Sequence, residues 1–206
     1  ENHKTYNSDG EIRTLEYHYG GQAYVTGAVP SLVADEVKIL VLYGMLLMTL
    51  ILIINLKNIP SVLLIISIIT LSLLNMMGFM GWIYHFTLSE AFYFTLNHTS
   101  MPIVLLTIAN SDGVHVISRF FKEFRKLKET KSSIKAAMEH LILPISLTSI
   151  TTALAFLSLI FSPLKGMGGY GIVLAFGIFC AWMLSITMLP ALISIIKWDP
   201  NSKAIQ

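Results

Sequence analysis

The stretch VKILVLYGMLLMTLILIINL, residues 37–56, decides the fold class of this chain. Lys38, near its beginning, is its only charged residue. About 20 mostly apolar residues make a helix long enough to cross the ~30 Å hydrocarbon layer of a bilayer. The composition agrees, because 54% of the residues are hydrophobic and 13% are charged, whereas soluble domains carry about 25% charged residues. The sequence therefore predicts a membrane protein.

Four more apolar runs follow, so we expect an all-α membrane protein with five transmembrane helices over residues 35–198. The predicted spans are about 37–56, 61–84, 101–121, 141–161 and 169–196. Pro144 predicts a kink in the fourth span. The single cysteine, Cys180, lies inside the fifth run, which excludes a disulfide framework and a cysteine-based metal site. We expect neither a metal nor a cofactor.

The two ends of the chain are polar and are predicted to lie outside the membrane. Residues 1–34 are turn-rich and look like the tail of a soluble domain, in which QAYVTGAV, residues 22–29, predicts one short strand. Residues 199–206 are predicted to form a cytoplasmic tail. The first residue is not Met and no basic-then-apolar leader follows it, so we expect the chain to be part of a longer protein.

Basic residues predict the orientation, because Lys and Arg in short loops stay on the cytoplasmic side. If the first span enters from outside, ten basic residues lie on the inner side and four on the outer side. We therefore expect a multi-pass protein of the bacterial cytoplasmic (inner) membrane with an extracytoplasmic N-terminal tail.

A basic segment over residues 122–140 is predicted to lie on the cytoplasmic side. It interleaves Lys and Arg with Phe and Leu, a pattern typical of an amphipathic stretch on an anionic leaflet. The residues expected at the membrane surface are Lys122, Arg125, Lys126 and Lys128. The same charges do not indicate nucleic-acid binding, and we expect no nucleic-acid partner.

The candidate functional residues lie in ANSDGVHVISRF, residues 109–120. Asp112, His115 and Arg119 share one helical face, because offsets of three and four residues stack side chains. Ionisable groups inside a membrane are costly and usually face protein or a water-filled cavity. Low-dielectric surroundings favour the neutral form of a carboxyl group, so Asp112 can carry a proton, and His115 can relay it. Alternatively, Asp112 only bonds to a neighbouring helix and His115 caps a carbonyl.

Small residues mark the fourth and fifth spans. The fourth carries hydroxyls that could bond to the carboxylate or hold relay waters, or that simply allow close helix packing. These residues are Thr148, Ser149, Thr151 and Thr152. The fifth carries Gly169, Gly171 and Gly177, which predict a face on which another helix packs.

Several motifs together resemble one half of a resistance-nodulation-division (RND) superfamily transporter. They are YVTGAVPSLVADEV (24–37), SDGVHVISRFFKEFRK (111–126), LTSITTALAFLSLIFSPLKGMGGYGIVLAFG (147–177) and TMLPALI (187–193). The nearest branch is the MMPL-type exporters, which are related to sterol-sensing domains. The resemblance implies that the chain supplies helices two to six of a six-helix repeat, preceded by the end of an extracytoplasmic domain.

The resemblance also implies a role for the charged face of the third span. Asp112 matches the acidic residue that takes part in proton coupling, His115 would tune or relay the proton, and Arg119 would neutralise or position the inner end of the path. This sequence has Gly113 where an aromatic residue is usual, which directs attention to Thr148, Thr151 and Thr152 of the fourth span as partners of the carboxyl group.

The implied function is that of the membrane half-domain of a proton-motive-force-driven exporter of lipid-like or hydrophobic molecules. Its expected partners are the lipid bilayer, a second RND repeat on the same chain or in a homo-oligomer, and a hydrophobic substrate. Two alternatives remain: a sterol-sensing-like module for lipid binding or scaffolding, and an RND-type accessory subunit of protein translocation. We do not expect an enzyme, because no span carries a nucleophile–base pair or a two-histidine metal spacing.

Overall fold

Five long helices dominate the computed structural model, which describes residues 4–6, 12–14, 21–88, 92, 96–164 and 166–198. The elements in chain order are β1 (Lys4–Tyr6), β2 (Ile12–Thr14), α1 (Gln22–Leu56), α2 (Ile59–Thr87), α3 (Met101–Leu127), α4 (Thr130–Leu157), α5 (Met167–Ile186) and α6 (Met188–Ile195). Short 3-10 helices precede α3 and follow α4. β1 and β2 form a two-stranded antiparallel sheet in which Lys4 lies opposite Thr14.

Each of the five apolar runs lies in a helical segment long and apolar enough to cross a membrane. These segments are Lys38–Leu56, Ile59–Thr87, His98–Leu127, Thr130–Phe161 and Met167–Ile195. The last of them combines α5 and α6. The prediction of an all-α membrane domain with five spanning helices is therefore confirmed, and the two short strands lie outside that domain.

The first helix begins well before the apolar run that predicted it. α1 starts at Gln22, so the strand expected over residues 22–29 is wrong. Extending an existing helix adds one backbone hydrogen bond per residue, whereas an isolated strand needs a partner strand. The division into a tail over 1–34 and a membrane domain stays a prediction, and the tail predicted over 199–206 lies outside the described residues.

Two tight turns of similar geometry join α1 to α2 and α3 to α4. Lys57 and Lys128 end the first helix of each pair in the left-handed region, with φ of 48° and 53°. Asn58 then caps α2 by accepting a hydrogen bond from the Ser61 amide at 3.2 Å, and Glu129 precedes the first residue of α4. Such short connections place consecutive helices antiparallel and side by side.

The basic segment over residues 122–140 is divided between the end of α3 and the start of α4. The aromatic residues near its start do not face a lipid leaflet, because Phe120 and Phe121, just before the segment, and Phe124, within it, are buried in the protein. The ring centroid of Trp198 lies 5.3 Å from that of Phe120 and 5.6 Å from that of Phe121. Trp198 and the adjoining helices thus supply an aromatic core at this end of the bundle. The basic residues lie on the opposite, exposed side, and the position of the segment at a membrane surface stays a prediction.

α5 packs against α2, α3 and α4 and forms the centre of the bundle. Gly169, Gly171 and Gly177 are all buried on it. A Cβ atom on Gly171 would overlap the carbonyl oxygen of Phe156, and one on Gly177 would lie 2.8 Å from Met76 Sδ. The structure thus places α4 and α2 against backbone that only glycine leaves accessible, as expected of small-residue packing in membranes.

α1 and α4 are the least covered helices. In the apolar part of each helix, 17% of the residues of α1 and 11% of those of α4 are buried within the protein, compared with 44% for the fifth span. Leu143, Leu147 and Leu154 of α4 are among the exposed side chains. In a bilayer such faces contact lipid chains or further helices.

Candidate functional site

Asp112 lies near the middle of α3 and faces α4. Its side chain is 6% exposed, although it belongs to a helix that is otherwise apolar for most of its first half. α3 and α4 are antiparallel neighbours joined by the turn at Lys128. Residues that lie equally far from this turn on the two helices are therefore close together. The carboxyl group is therefore held between two helices and away from the surface of the bundle.

Ser149 is the α4 residue that reaches this carboxyl group. Its hydroxyl Oγ donates a hydrogen bond to Asp112 Oδ2 at 3.4 Å, and its side chain is also buried. The distance is long for an O–H···O bond, which usually measures about 2.7–2.8 Å. A long bond of this kind holds the carboxylate only weakly.

Gly113 explains the close approach of α2 on the other side of α3. A Cβ atom there would lie 3.2 Å from both Ile65 Cγ1 and Ile65 Cγ2, which is tighter than ordinary van der Waals contact. An aromatic side chain at this position would push α2 away. The hydroxyl partner of the carboxyl group therefore comes from α4, through Ser149, and not from the residue next to Asp112.

A cavity of about 370 Å³ lies between α3 and α4. Asp112 and His115 line it together with other polar and apolar side chains from both helices. The remaining lining residues are Thr107, Ile108, Ser111, Leu141, Pro144, Ile145, Thr148, Ser149 and Thr152. His115 and Ser111 are exposed at its edge. The cavity has the size and the polar groups needed to hold water.

The three threonines predicted to act with Ser149 bond to their own helix. Thr148 Oγ1 donates to the carbonyls of Pro144 and Ile145, Thr151 Oγ1 to those of Leu147 and Thr148, and Thr152 Oγ1 to that of Thr148. Thr148 and Thr152 nevertheless line the cavity, where each hydroxyl oxygen can still accept a hydrogen bond. Thr151 lies outside the lining residues.

Arg119 is engaged at the other end of the charged face. Its Nη2 lies 3.2 Å from Glu123 Oε1, and Lys126 Nζ lies 3.5 Å from Glu123 Oε2. Glu123 is 7% exposed. The structure thus brings Asp112, His115 and Ser149 together, whereas it pairs Arg119 with an acidic residue that sequence reasoning missed. The signal was present, since Glu123 follows Arg119 by four residues.

The remaining predicted positions lie on the surface at the C-terminal end of α3 and in the turn that follows it. Lys122, Arg125, Lys126 and Lys128 are exposed, and their contact with a membrane surface stays a prediction. Within the described ranges, His, Cys, Asp and Glu side chains form no group of three that could hold a metal ion.

Comparison with known proteins matches the chain to one family over most of its length. The model of the MMPL family covers residues 9–203. A membrane protein of Methanocaldococcus jannaschii is 33% identical over 92 residues, which are 45% of this chain and 24% of that protein. The hopanoid transporter HpnN of Rhodopseudomonas palustris is 29% identical over 85 residues, or 41% of this chain and 10% of the transporter. The chain thus matches a quarter or less of the length of these relatives.

Proposed function

The chain belongs to the MMPL family, and we propose that it forms the membrane half-domain of an exporter that uses inward proton flow to move lipid-like or hydrophobic molecules outward. The observation that carries the proposal is the burial of Asp112 between α3 and α4, beside a cavity that it shares with His115 and with the hydroxyls of Thr148, Ser149 and Thr152. Ionisable side chains at membrane depth that face such a cavity are typical of proton paths.

Asp112 is the group that takes up and releases the proton. A buried carboxylate is costly when ionised, and the Ser149 hydroxyl is its only described hydrogen-bond donor. Protonation removes the charge of Asp112. The neutral carboxyl group and the carboxylate therefore favour different arrangements of α3 and α4. A change of protonation can thereby shift a two-state equilibrium of helix packing.

His115 and water in the cavity supply the route to Asp112. The imidazole lines the same cavity and is exposed at its edge, and histidine exchanges protons readily near neutral pH. The hydroxyl oxygens of Thr148 and Thr152 can orient water along this route. Arg119, paired with Glu123, bounds its inner end.

A second repeat is the partner that best fits the uncovered polar face. The exposed polar residues on α3 and α4 include His115, Ser111, Thr148 and Thr151. Polar side chains in a bilayer are stabilised by protein partners or by water and not by lipid chains. We propose that a further repeat, on the same chain or on another copy, covers this face. A hydrophobic substrate is suggested by the relative named as a hopanoid transporter.

A lipid-binding module without proton coupling is the second candidate. A groove of about 390 Å³ on α2 and α5 favours it. Its lining residues are Leu71, Leu74, Asn75, Gly78, Phe79, Trp82 and Phe176. The groove is mostly apolar and could accommodate part of a lipid. In this case Asp112 would serve helix packing alone.

Replacing Asp112 by asparagine separates the two candidates. The full-length protein is reconstituted into liposomes that contain a pH-sensitive fluorophore, and proton flux is recorded after a pH gradient is imposed. We expect Asp112→Asn to lower flux by about a hundredfold or more, a scale typical of removing an essential proton-transfer group. Folding should be retained because the two side chains have nearly the same shape.

The matched control is Asp35→Asn, which makes the same change before the first apolar span. It should leave the flux unchanged. If Asp112→Asn conducts protons like the unsubstituted protein, the exporter proposal is refuted and the lipid-binding alternative is favoured.

A further inference from the structure

Glu123 is a buried carboxylate with two cationic neighbours. Asp112 and Glu123 are the only acidic residues that are buried among the side chains that the structure describes. One carboxylate oxygen of Glu123 lies 3.2 Å from Arg119 Nη2, and the other lies 3.5 Å from Lys126 Nζ. The Lys126 side chain is 62% exposed, against 28% for Arg119, so Arg119 is the less hydrated and the more strongly held partner.

Arg119 lies between the two buried carboxylates on one helical stripe. It follows Asp112 by seven residues and precedes Glu123 by four, which are both close to whole turns of an α-helix. With a rise of 1.5 Å per residue, it lies about 10.5 Å from Asp112 and about 6 Å from Glu123 along the axis. In the structure the guanidinium group is turned toward Glu123, but helical side chains lean toward the N-terminus, and the long, flexible stem of arginine allows the group to swing in that direction when Glu123 does not hold it. Arg119 can therefore reach toward Asp112 as well as toward Glu123.

The guanidinium group is not fully used in its present position. Arg119 Nε is buried and has no hydrogen-bond acceptor within the described part of the chain. A buried N–H without an acceptor is costly. A second carboxylate that came within reach would therefore be an attractive partner.

Few other charged groups compete for Arg119. α5 and α6 contain no charged residue or histidine, and α2 contains only His85, near its far end. α1 carries Asp35, Glu36 and Lys38 on the side of its span away from the turn to α2. Glu129 lies in the turn between α3 and α4. The charged groups and histidine of α4 itself precede its apolar part and are Lys131, Lys135, Glu139 and His140. Among the described groups, Glu123 is thus the carboxylate that holds Arg119.

We propose that Glu123 is a positioning residue that anchors Arg119 at the inner end of α3 and so leaves Asp112 free to become protonated. This inference rests on the proposed function of Asp112. Without the anchor, Arg119 would pair with Asp112 and keep its carboxylate ionised, because an opposite charge within about 4–6 Å favours the charged form. The proton site would then be locked.

Carbodiimide labelling tests this inference without a transported substrate. Dicyclohexylcarbodiimide is apolar and couples to neutral carboxyl groups, and the labelling rate of the peptide that contains Asp112 is followed by mass spectrometry at neutral pH. The full-length protein is used in its membrane. We expect Glu123→Gln to lower the labelling rate of Asp112 by about tenfold or more.

A double variant separates positioning from a merely structural role. If Glu123 acts through Arg119, adding Arg119→Gln to Glu123→Gln should restore labelling to within about twofold of the unsubstituted protein. Arg119→Gln alone should label at least as fast as the unsubstituted protein, and Glu123→Asp should keep most of the rate because it keeps the charge. If Glu123→Gln does not fold, the Arg119→Gln and Glu123→Asp variants still test the inference.

The matched control is Glu139→Gln, which makes the same change at an exposed glutamate of α4. It should not change the labelling of Asp112. Unchanged labelling in Glu123→Gln, or slow labelling that Arg119→Gln does not rescue, would overturn the inference. Failure of the proposed function is distinguishable, because it would appear as proton flux in Asp112→Asn while these labelling rates still follow the expected pattern.

Discussion

Replacing Gly171 by alanine tests the seam between α4 and α5 with the smallest possible change. The added methyl group would overlap the carbonyl oxygen of Phe156 and would lie 3.0 Å from Leu159 Cβ. A backbone carbonyl cannot rotate away as the end of a flexible side chain can. Accommodation of the methyl group therefore requires the segment around Phe156 to move away from α5.

The expected cost follows from two opposing effects. Overpacking a close contact costs about 1–3 kcal/mol, whereas alanine is favoured over glycine in a helix by about 0.8–1 kcal/mol. The net effect at Gly171 should be a loss of stability of up to about 2 kcal/mol. The same substitution at Gly81 of α2 meets no atom within 4 Å, so only the helix preference remains and the protein should be unchanged or slightly more stable.

Thermal unfolding of the two purified variants in the same detergent provides the comparison. The midpoint for Gly171→Ala should fall below that of the unsubstituted protein, and the midpoint for Gly81→Ala should not. Because heating a membrane protein is often irreversible, the scan rate must be the same for all samples. Equal midpoints for the two variants would refute the close packing of α4 against α5.

Two further predictions concern the site and the aromatic cluster at the C-terminal end of α3. Ser149→Ala should reduce proton flux in the liposome assay by about threefold to tenfold without abolishing it, because a single weak hydrogen bond is worth about 1 kcal/mol. Thr151→Ala is the control, since Thr151 bonds to its own helix. A loss of flux in Ser149→Ala as large as that in Asp112→Asn would contradict a secondary role for Ser149. Phe120→Ala should lower the free energy of unfolding by about 3 kcal/mol, since Phe120 is 1% exposed and truncating a buried Phe costs about 3–5 kcal/mol. The control is Phe161→Ala, which changes a residue that is 89% exposed and should have little effect on the midpoint of thermal unfolding.

Much of the fold could be predicted from the sequence because a bilayer permits few structures. Every backbone polar group in hydrocarbon must be satisfied within the protein, which permits helices and closed barrels, and an unbroken apolar run as long as residues 37–56 fits a spanning helix. The start of α1 at Gln22 was not predictable in this way, because residues 22–29 carry glycine and β-branched residues whose local preferences are weak. Continuation of an existing helix outweighed those preferences.

The candidate site was predictable in part. The spacing of Asp112, His115 and Arg119 predicted that they share one helical face. In the structure, Asp112 and His115 line the same cavity. The sequence offered four hydroxyl residues on α4 and favoured the three threonines as partners of Asp112. The structure instead has Ser149 as the donor to Asp112, while the threonines bond to carbonyls of their own helix. Glu123 was missed because the charged run around it reads as a solvated surface, although its side chain is buried.

The sequence by itself determined the medium, the five crossings and the stripe of charged residues on α3, since each depends on composition and on the periodicity of a single helix. Only the tertiary structure decided that Ser149 meets Asp112, that Glu123 holds Arg119, and that Gly113 lies against Ile65. Contacts between helices depend on how all the interfaces fit at once, and a shift of one helix by a single residue turns each side chain by about 100°. Local sequence patterns contain no record of that choice.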